Sequence, residues 1–276
     1  MAHGSVAQKV EAGPRSSILR LKPLVRVPSR WSTPLALLLL IVAWEIAGRL
    51  ADAVFFAPFS GVITAWWSLM FSGGLPLALT ASLQALLVGF GLALVLGLTL
   101  GSLMGLSRSF KYLLDIFVNT LMVAPLVAVI PVIAIFLGLD VWARAAVVFL
   151  FAVFVITVNA EAGMKAASPD LIEMARSFGL GQSQIFRVVI LPAALPAFMA
   201  GIRLGIVRAV KGMVTAELFM SMTGLGALVD YYGSQFQTDK LLAVLLTVVV
   251  ISMGLGSAVN RVDRRLSRWQ LGANRH

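Results

Sequence analysis

Six stretches of the chain are almost unbroken hydrocarbon, at residues 34–48, 82–106, 113–139, 141–158, 193–218 and 241–259. A helix needs about 20 apolar residues to cross a hydrocarbon layer of about 30 Å. In lipid every backbone donor and acceptor must be satisfied within the protein, so an apolar run of this length is read as a helix. The pattern predicts an all-α membrane protein with six transmembrane helices. The first stretch is the shortest. The third contains Pro125 and Pro131, which interrupt the hydrogen-bond ladder. That interruption reads as a packing kink or as a bend lining a pathway.

Within the second stretch Gly97, Gly101 and Gly105 recur four residues apart. They form one face on which a second helix backbone can come close, the means by which helices associate in lipid. The segment over 51–76 contains Trp66 and Trp67, suited to the half-wet headgroup zone, and predicts a short interfacial helix. The segment over 220–240, with Tyr231, Tyr232 and Phe236, reads as an outer loop and a candidate surface for an outside partner. No GK[ST] follows any glycine run, so nothing in the chain makes a phosphate-cradling loop.

The pattern changes between the fourth and fifth stretches. Ser168-Pro169-Asp170 is a helix start: serine can cap, proline is preorganised for the first turn, and aspartate suits the positive end. Gly179 is the stop. Between them Leu171, Met174 or Ala175, and Phe178 share one face, with Asp170, Glu173, Arg176 and Ser177 on the other. A helix lying on lipid usually carries several lysines or arginines on its polar face. Two acids and one arginine suit a protein socket better.

Composition agrees with a bilayer: 59% of residues are hydrophobic, 12% are charged, and mean hydropathy is +0.95. A net charge of +10 in another chain would point to nucleic acid, but here its placement points to topology. Basic residues precede the first stretch, recur at Arg108, Lys111, Lys165, Arg176 and Arg187, and follow the sixth, whereas the opposite loops hold only Arg49, Arg144 and Lys240. Basic residues are retained in short cytoplasmic loops, so both termini and the amphipathic segment are expected to be cytoplasmic. The apolar run followed by Ala51-Asp52-Ala53 loosely imitates a cleavable leader, but the preceding basic region is too long and the charge rule works with the first span retained. With no cysteine, and histidines only at His3 and His276, neither disulfides nor a metal site is expected.

Glu173-Met174-Ala175, then Gly179, then Val189-Ile190-Leu191-Pro192, resembles the EAA signature of integral membrane permeases of bacterial ABC importers. Met174 and Val189 stand where the signature has alanine and isoleucine. The resemblance runs from about Phe55 to the C-terminus, and SPDLIEMARSFG, LPAALPAFMAGIRLGI, AELF at 216–219 and GLG at 224–226 are similar to the nitrate, sulfonate and taurine permease subfamily. It departs at Ala57-Pro58-Phe59-Ser60 and at Phe154-Val155-Ile156, where that subfamily carries further prolines.

The resemblance implies a type I ABC importer permease of the bacterial inner membrane. Such a chain works with a second permease copy, two ATP-binding subunits inside and a substrate-binding protein outside, and binds no cofactor itself; ATP and magnesium belong to the ATPase subunits. It implies a coupling segment within about 160–192, comprising Ser168, Asp170, Leu171, Glu173, Ala175, Arg176, Phe178, Gly179, Leu191 and Pro192. The expected layout is a basic tail over 1–31, a membrane domain over 32–265 and a second tail over 266–276.

The fifth stretch carries Arg203, Arg208 and Lys211, with Glu217 nearer the outer end. A charge at the bilayer centre costs about 2.5–3.5 kcal/mol on insertion scales, so these groups should face protein or water. The three cations fall within an arc of about 140° and are grouped with Glu217 as a substrate pathway for a small anionic or zwitterionic solute. Pairing between helices and snorkelling of Arg203 are the alternatives. Glu45 and Arg49 read as a local ion pair. The rival function is an ion-coupled secondary transporter, which favours inverted repeats and intramembrane acids. An intramembrane enzyme would need a general acid–base constellation that the chain lacks.

Overall fold

The structure, a computed structural model, describes residues 29–51, 56–72, 74–220 and 223–266. The tails expected at 1–31 and 266–276 fall almost wholly outside the described residues, as do Asp52, Ala53, His3 and His276. The chain divides into Met1–Ala43 and Trp44–His276. Helix α1 (Ser29–Leu50) accounts for the described part of the first unit, and its Leu37 to Leu40 are exposed apolar side chains.

In the second unit α2 (Phe59–Phe71) is the short helix expected after the first span. The α2 side chains Val62, Ala65 and Leu69 are buried, and Trp66 donates through Nε1 to Thr247 Oγ1 at 3.0 Å. Trp66 is thus tied into the core, while Trp67 stays half exposed and stacks on Phe71. The last turns of α1 are held against the start of α2 by a hydrogen bond from Trp44 Nε1 to the Ala57 carbonyl and by Glu45. That carboxylate pairs with Arg49 at 2.7 Å, as expected, and also accepts from the backbone and hydroxyl of Ser60.

Helix α3 (Gly74–Leu106) begins eight residues before the predicted stretch. The third predicted span is not one helix. It is α4 (Arg108–Val123), a short 3-10 turn at Leu126–Val129 and α5 (Ile130–Leu137), bent by 96°. The break falls at Ala124-Pro125, where proline cannot donate and disfavours helical backbone in the residue before it. Among the described residues four helices are long and apolar enough to cross a membrane, or five with the bent pair counted as one span. The count of six therefore rests on α1, whose apolar run at 34–48 is short of the length a straight span needs.

The core is a three-helix layer, with α6 (Val141–Met164) between α3 and α9 (Leu191–Met220). The glycine stripe is the seam on one side. A Cβ on Gly97 would come within 2.8 Å of Ile156 Cγ2, on Gly101 within 2.3 Å of the Thr157 carbonyl oxygen, and on Gly105 within 2.4 Å of Met164 Cβ. On the other side Gly201, Gly205 and Gly212 of α9 close against Asn159, Ile156 and Phe151. Ala152, Ile156 and Ala160 of α6 are fully buried between the two seams. Such backbone-to-backbone approach maximises dispersion contact where lipid supplies no hydrophobic driving force.

After α6 come α7 (Pro169–Ser177), the single turn α8 (Gln182–Ile185) and a π-helical turn over Phe186–Ile190 that runs into α9. The segment expected to be an outer loop over 220–240 is largely helix: α10 (Leu225–Ser234), then a turn through Phe236 into α11 (Thr238–Leu266). Leu225 is fully buried and sets the start of α10 into the core, which a loop reading from glycine and tyrosine content overlooked.

Candidate functional site

Helix α7 forms where the sequence places it. Pro169 opens it and Asp170 lies in its first turn, while Ser168 occupies the N-cap position without a side-chain capping bond. The expectation of a serine cap is corrected: Pro169, Asp170 and the backbone begin this helix unaided by that hydroxyl. The end is closed by Gly179 at φ 76°, which a side chain would strain. Its N–H donates to the Arg176 carbonyl and the Leu180 N–H to the Ala175 carbonyl, the Schellman pattern that satisfies the last carbonyls.

Ala175 is buried, whereas Leu171, Met174 and Phe178 are 47%, 52% and 78% exposed. They border a groove of about 500 Å³ whose far wall is Leu180, Val188, Val189 and Pro192. Glu173 and Arg176 face away, beside a second hollow next to Pro169 and Ile172. The chain thus presents a short helix with an uncovered apolar ridge on one side and opposite charges on the other. Leu191 and Pro192 do not end a helix; they open α9. The π turn before them lets the Leu191 N–H reach back five residues to the Phe186 carbonyl, the kind of widening that makes room where a proline interrupts the ladder. Leu180 and Val188 were missed in the sequence; the apolar residue after a Schellman glycine was the available signal.

The four residues grouped as a pathway are separated by the structure. Arg203 pairs with Asp263 of α11, the interhelix alternative. Arg208 and Lys211, one turn apart on α9, are exposed, and their side chains form no hydrogen bond or ion pair with any described residue. Leu204 and Val207 are exposed beside them. Glu217 is a correction. It is wholly buried and faces no open space in this chain.

Its carboxylate ties together the ends of α3, α6 and α9 and the start of α10 instead. Oε2 accepts from Ser82 Oγ and from the Gly226 N–H, both at 2.9 Å, and Ser82 Oγ accepts from the Leu225 N–H at 2.8 Å. Arg144, read from the sequence as an outer-loop cation, lies inside the first turns of α6, buried, with Nη1 3.6 Å from Glu217 Oε1. A lone carboxylate in an apolar span must find a partner, and Arg144 was a candidate signal for it; that Ser82 and the GLG backbone join them was not legible.

Three comparisons bear on the chain. Residues 93–268 match the family described as binding-protein-dependent transport system inner membrane component. The chain is similar to the putative aliphatic sulfonates transport permease protein SsuC of Escherichia coli K12, with 32% identity over 90% of this chain and 94% of the relative. It is also similar to the taurine transport system permease protein TauC of the same organism, with 30% identity over 69% of this chain and 70% of the relative. In fold it resembles an inward-facing structure of the MetNI methionine ABC transporter, with a TM-score of 0.61, 21% identity, and 71% of this chain and 97% of the other covered.

Proposed function

The chain belongs to the family of binding-protein-dependent transport system inner membrane components, and from that premise we propose that α7 couples ATP hydrolysis elsewhere to the passage of a small anionic or zwitterionic solute. It is a multi-pass permease of the inner membrane, without an ATPase site of its own, and it works with ATPase partners and a substrate-binding protein. The ion-coupled transporter is set aside.

The observation that carries the coupling role is the uncovered ridge of Leu171, Met174 and Phe178 on a helix outside the spanning ones. An apolar face of this kind beside an acid–base face suits a cleft of an ATPase subunit. Movement of that subunit on ATP would be transmitted as a rigid-body shift through α8, the π turn and α9. A ligand shifts a two-state element only through differential contacts, and α7 is where ATP makes them. The basic loops support a cytoplasmic α7 and both termini inside. Two copies of the chain with two ATP-binding subunits complete the assembly.

Glu173→Lys inverts the polar face of α7, and Gly179→Val strains its stop and tilts it. Both variants are expected to reach the membrane at normal levels and to lose uptake by about tenfold or more in cells, with ATP hydrolysis by the purified complex no longer raised by loaded binding protein. Normal uptake by both would remove α7 from the coupling role.

Arg208 and Lys211 support the sign of the cargo. Unpaired cations on a spanning helix must face water or another protein, and in a low-dielectric cavity their field favours anions. The relatives' names point to sulfonates, including zwitterionic taurine; nitrate and small carboxylates share the anionic group. Arg208→Gln and Lys211→Gln are each expected to lower uptake several-fold while the assembled complex still hydrolyses ATP. Wild-type uptake in both, or a cargo that proves cationic, would leave these residues as contacts between permease copies.

A further inference from the structure

A pocket of about 370 Å³ opens where the end of α3, the start of α4 and the end of α6 meet, with Arg108, Lys111, Tyr112 and Lys165 in its wall. Lys111 lies 2.7 Å from Glu161 Oε1, and Lys165 donates to that same oxygen; Asp115 stands 3.7 Å from Lys111. Arg108 has no hydrogen bond or ion pair from its side chain to any described residue. Two carboxylates therefore stand among three cations, Lys111 and Lys165 share one oxygen of Glu161, and Arg108 has neither carboxylate. The pocket also takes the N-terminal end of α4, whose N-cap residue Ser107 makes no side-chain bond to the open N–H groups of the first turn. The site is short of one negative charge.

An apolar ridge leads away from it. Tyr112 in the pocket wall is 81% exposed, and one turn on Ile116 is 67% exposed, with Leu113 and Phe117 beside them. A free anion would use the head of this site alone, whereas a phospholipid uses both parts. We propose that the pocket holds the phosphate headgroup of an anionic phospholipid of the inner leaflet, with its acyl chains along the Tyr112–Ile116 ridge. The leaflet rests on the topology argued above. Lys165 lies three residues before Ser168, so the bound headgroup braces the end of α6 from which α7 departs.

The test uses the complete transporter in bilayers of phosphatidylcholine with and without phosphatidylglycerol, and lipid retained by the detergent-extracted complex is counted by native mass spectrometry. Wild type is expected to keep phosphatidylglycerol over phosphatidylcholine; Arg108→Gln should weaken that preference about fivefold, the worth of one basic side chain at a lipid surface, and Arg108→Lys should keep most of it. Equal retention of both lipids by wild type, or no difference between wild type and Arg108→Gln, overturns the site. Displacement of phosphatidylglycerol by inorganic phosphate at equal headgroup concentration would show that the ridge contributes nothing and overturn the lipid assignment. Sidedness is read separately with Arg108→Cys, a single thiol in a chain that has none. Labelling by an impermeant maleimide from the cytoplasmic face only is expected. Labelling from outside overturns the topology and the inner-leaflet assignment together, whereas cytoplasmic labelling without lipid preference overturns the site alone.

Discussion

Gly101→Leu is expected to abolish accumulation of the folded chain in the membrane. The added Cβ alone would lie 2.3 Å from the Thr157 carbonyl oxygen and 2.6 Å from Ala160 Cβ, both on the rigid central helix α6. No flexible side-chain end is there to give way. Overpacking a tight core costs about 1–3 kcal/mol when neighbours can adjust. Here α3 must part from α6 along its length, releasing the contacts at Gly97 and Gly105 as well. The expected readout is loss of a monodisperse complex after detergent extraction, with a fall in Tm of more than about 10 °C for any that survives. The same substitution at Gly91, where an added Cβ meets nothing within 4 Å, is the control and should be near neutral. Equal behaviour of the two variants would deny the glycine seam its role.

The second large effect is expected at Glu217. Glu217→Ala leaves Arg144 buried with no countercharge, and removes the acceptor for Ser82 Oγ and the Gly226 N–H. Breaking a buried ion pair from one side costs about 3–5 kcal/mol, and an orphaned donor adds about 1–3 kcal/mol. The damage should be local to the end of the bundle where α10 follows α9. Hydrogen exchange of Leu225 and Gly226 amides should rise before that of α6. Glu217→Gln keeps an acceptor for Gly226 but not the charge, and is expected to fall between. Adding Arg144→Met to Glu217→Gln should recover most of the loss, because the buried cation left without a partner is then gone. Without that recovery, the residues act independently and the ion pair is incidental.

Helix α7 was legible almost residue by residue because its signals are local. Proline at a first turn, an i, i+3/4, i+7 apolar ridge and a glycine stop all act within one helix, and α7 runs from Pro169 to Ser177 as they require. The glycine stripe was legible for a related reason, since spacing alone puts Gly97, Gly101 and Gly105 on one face. Which helix they meet was not. Only packing chose α6, whose Ile156 and Met164 fit against α3 while Ile156 and Phe151 also meet glycines of α9.

Hydropathy determined that the chain is helical and lives in a bilayer, because the cost of an unpaired backbone group in lipid leaves few alternatives. Charge placement supports the proposed orientation, with both termini inside. The fate of each charged side chain in the membrane was a matter for tertiary structure. Arg203, Arg208 and Lys211 look alike in sequence, yet Arg203 meets Asp263 sixty residues away and the other two stay uncovered. Glu217 and Arg144, seventy-three positions apart by their numbers, form a buried pair that neither local context foretold. The physical reason is range. Helix propensity and hydropathy act over a turn or over the bilayer thickness, whereas an ion pair depends on which helices lie side by side and at what height. That choice is made by the shapes of the seams between α3, α6 and α9.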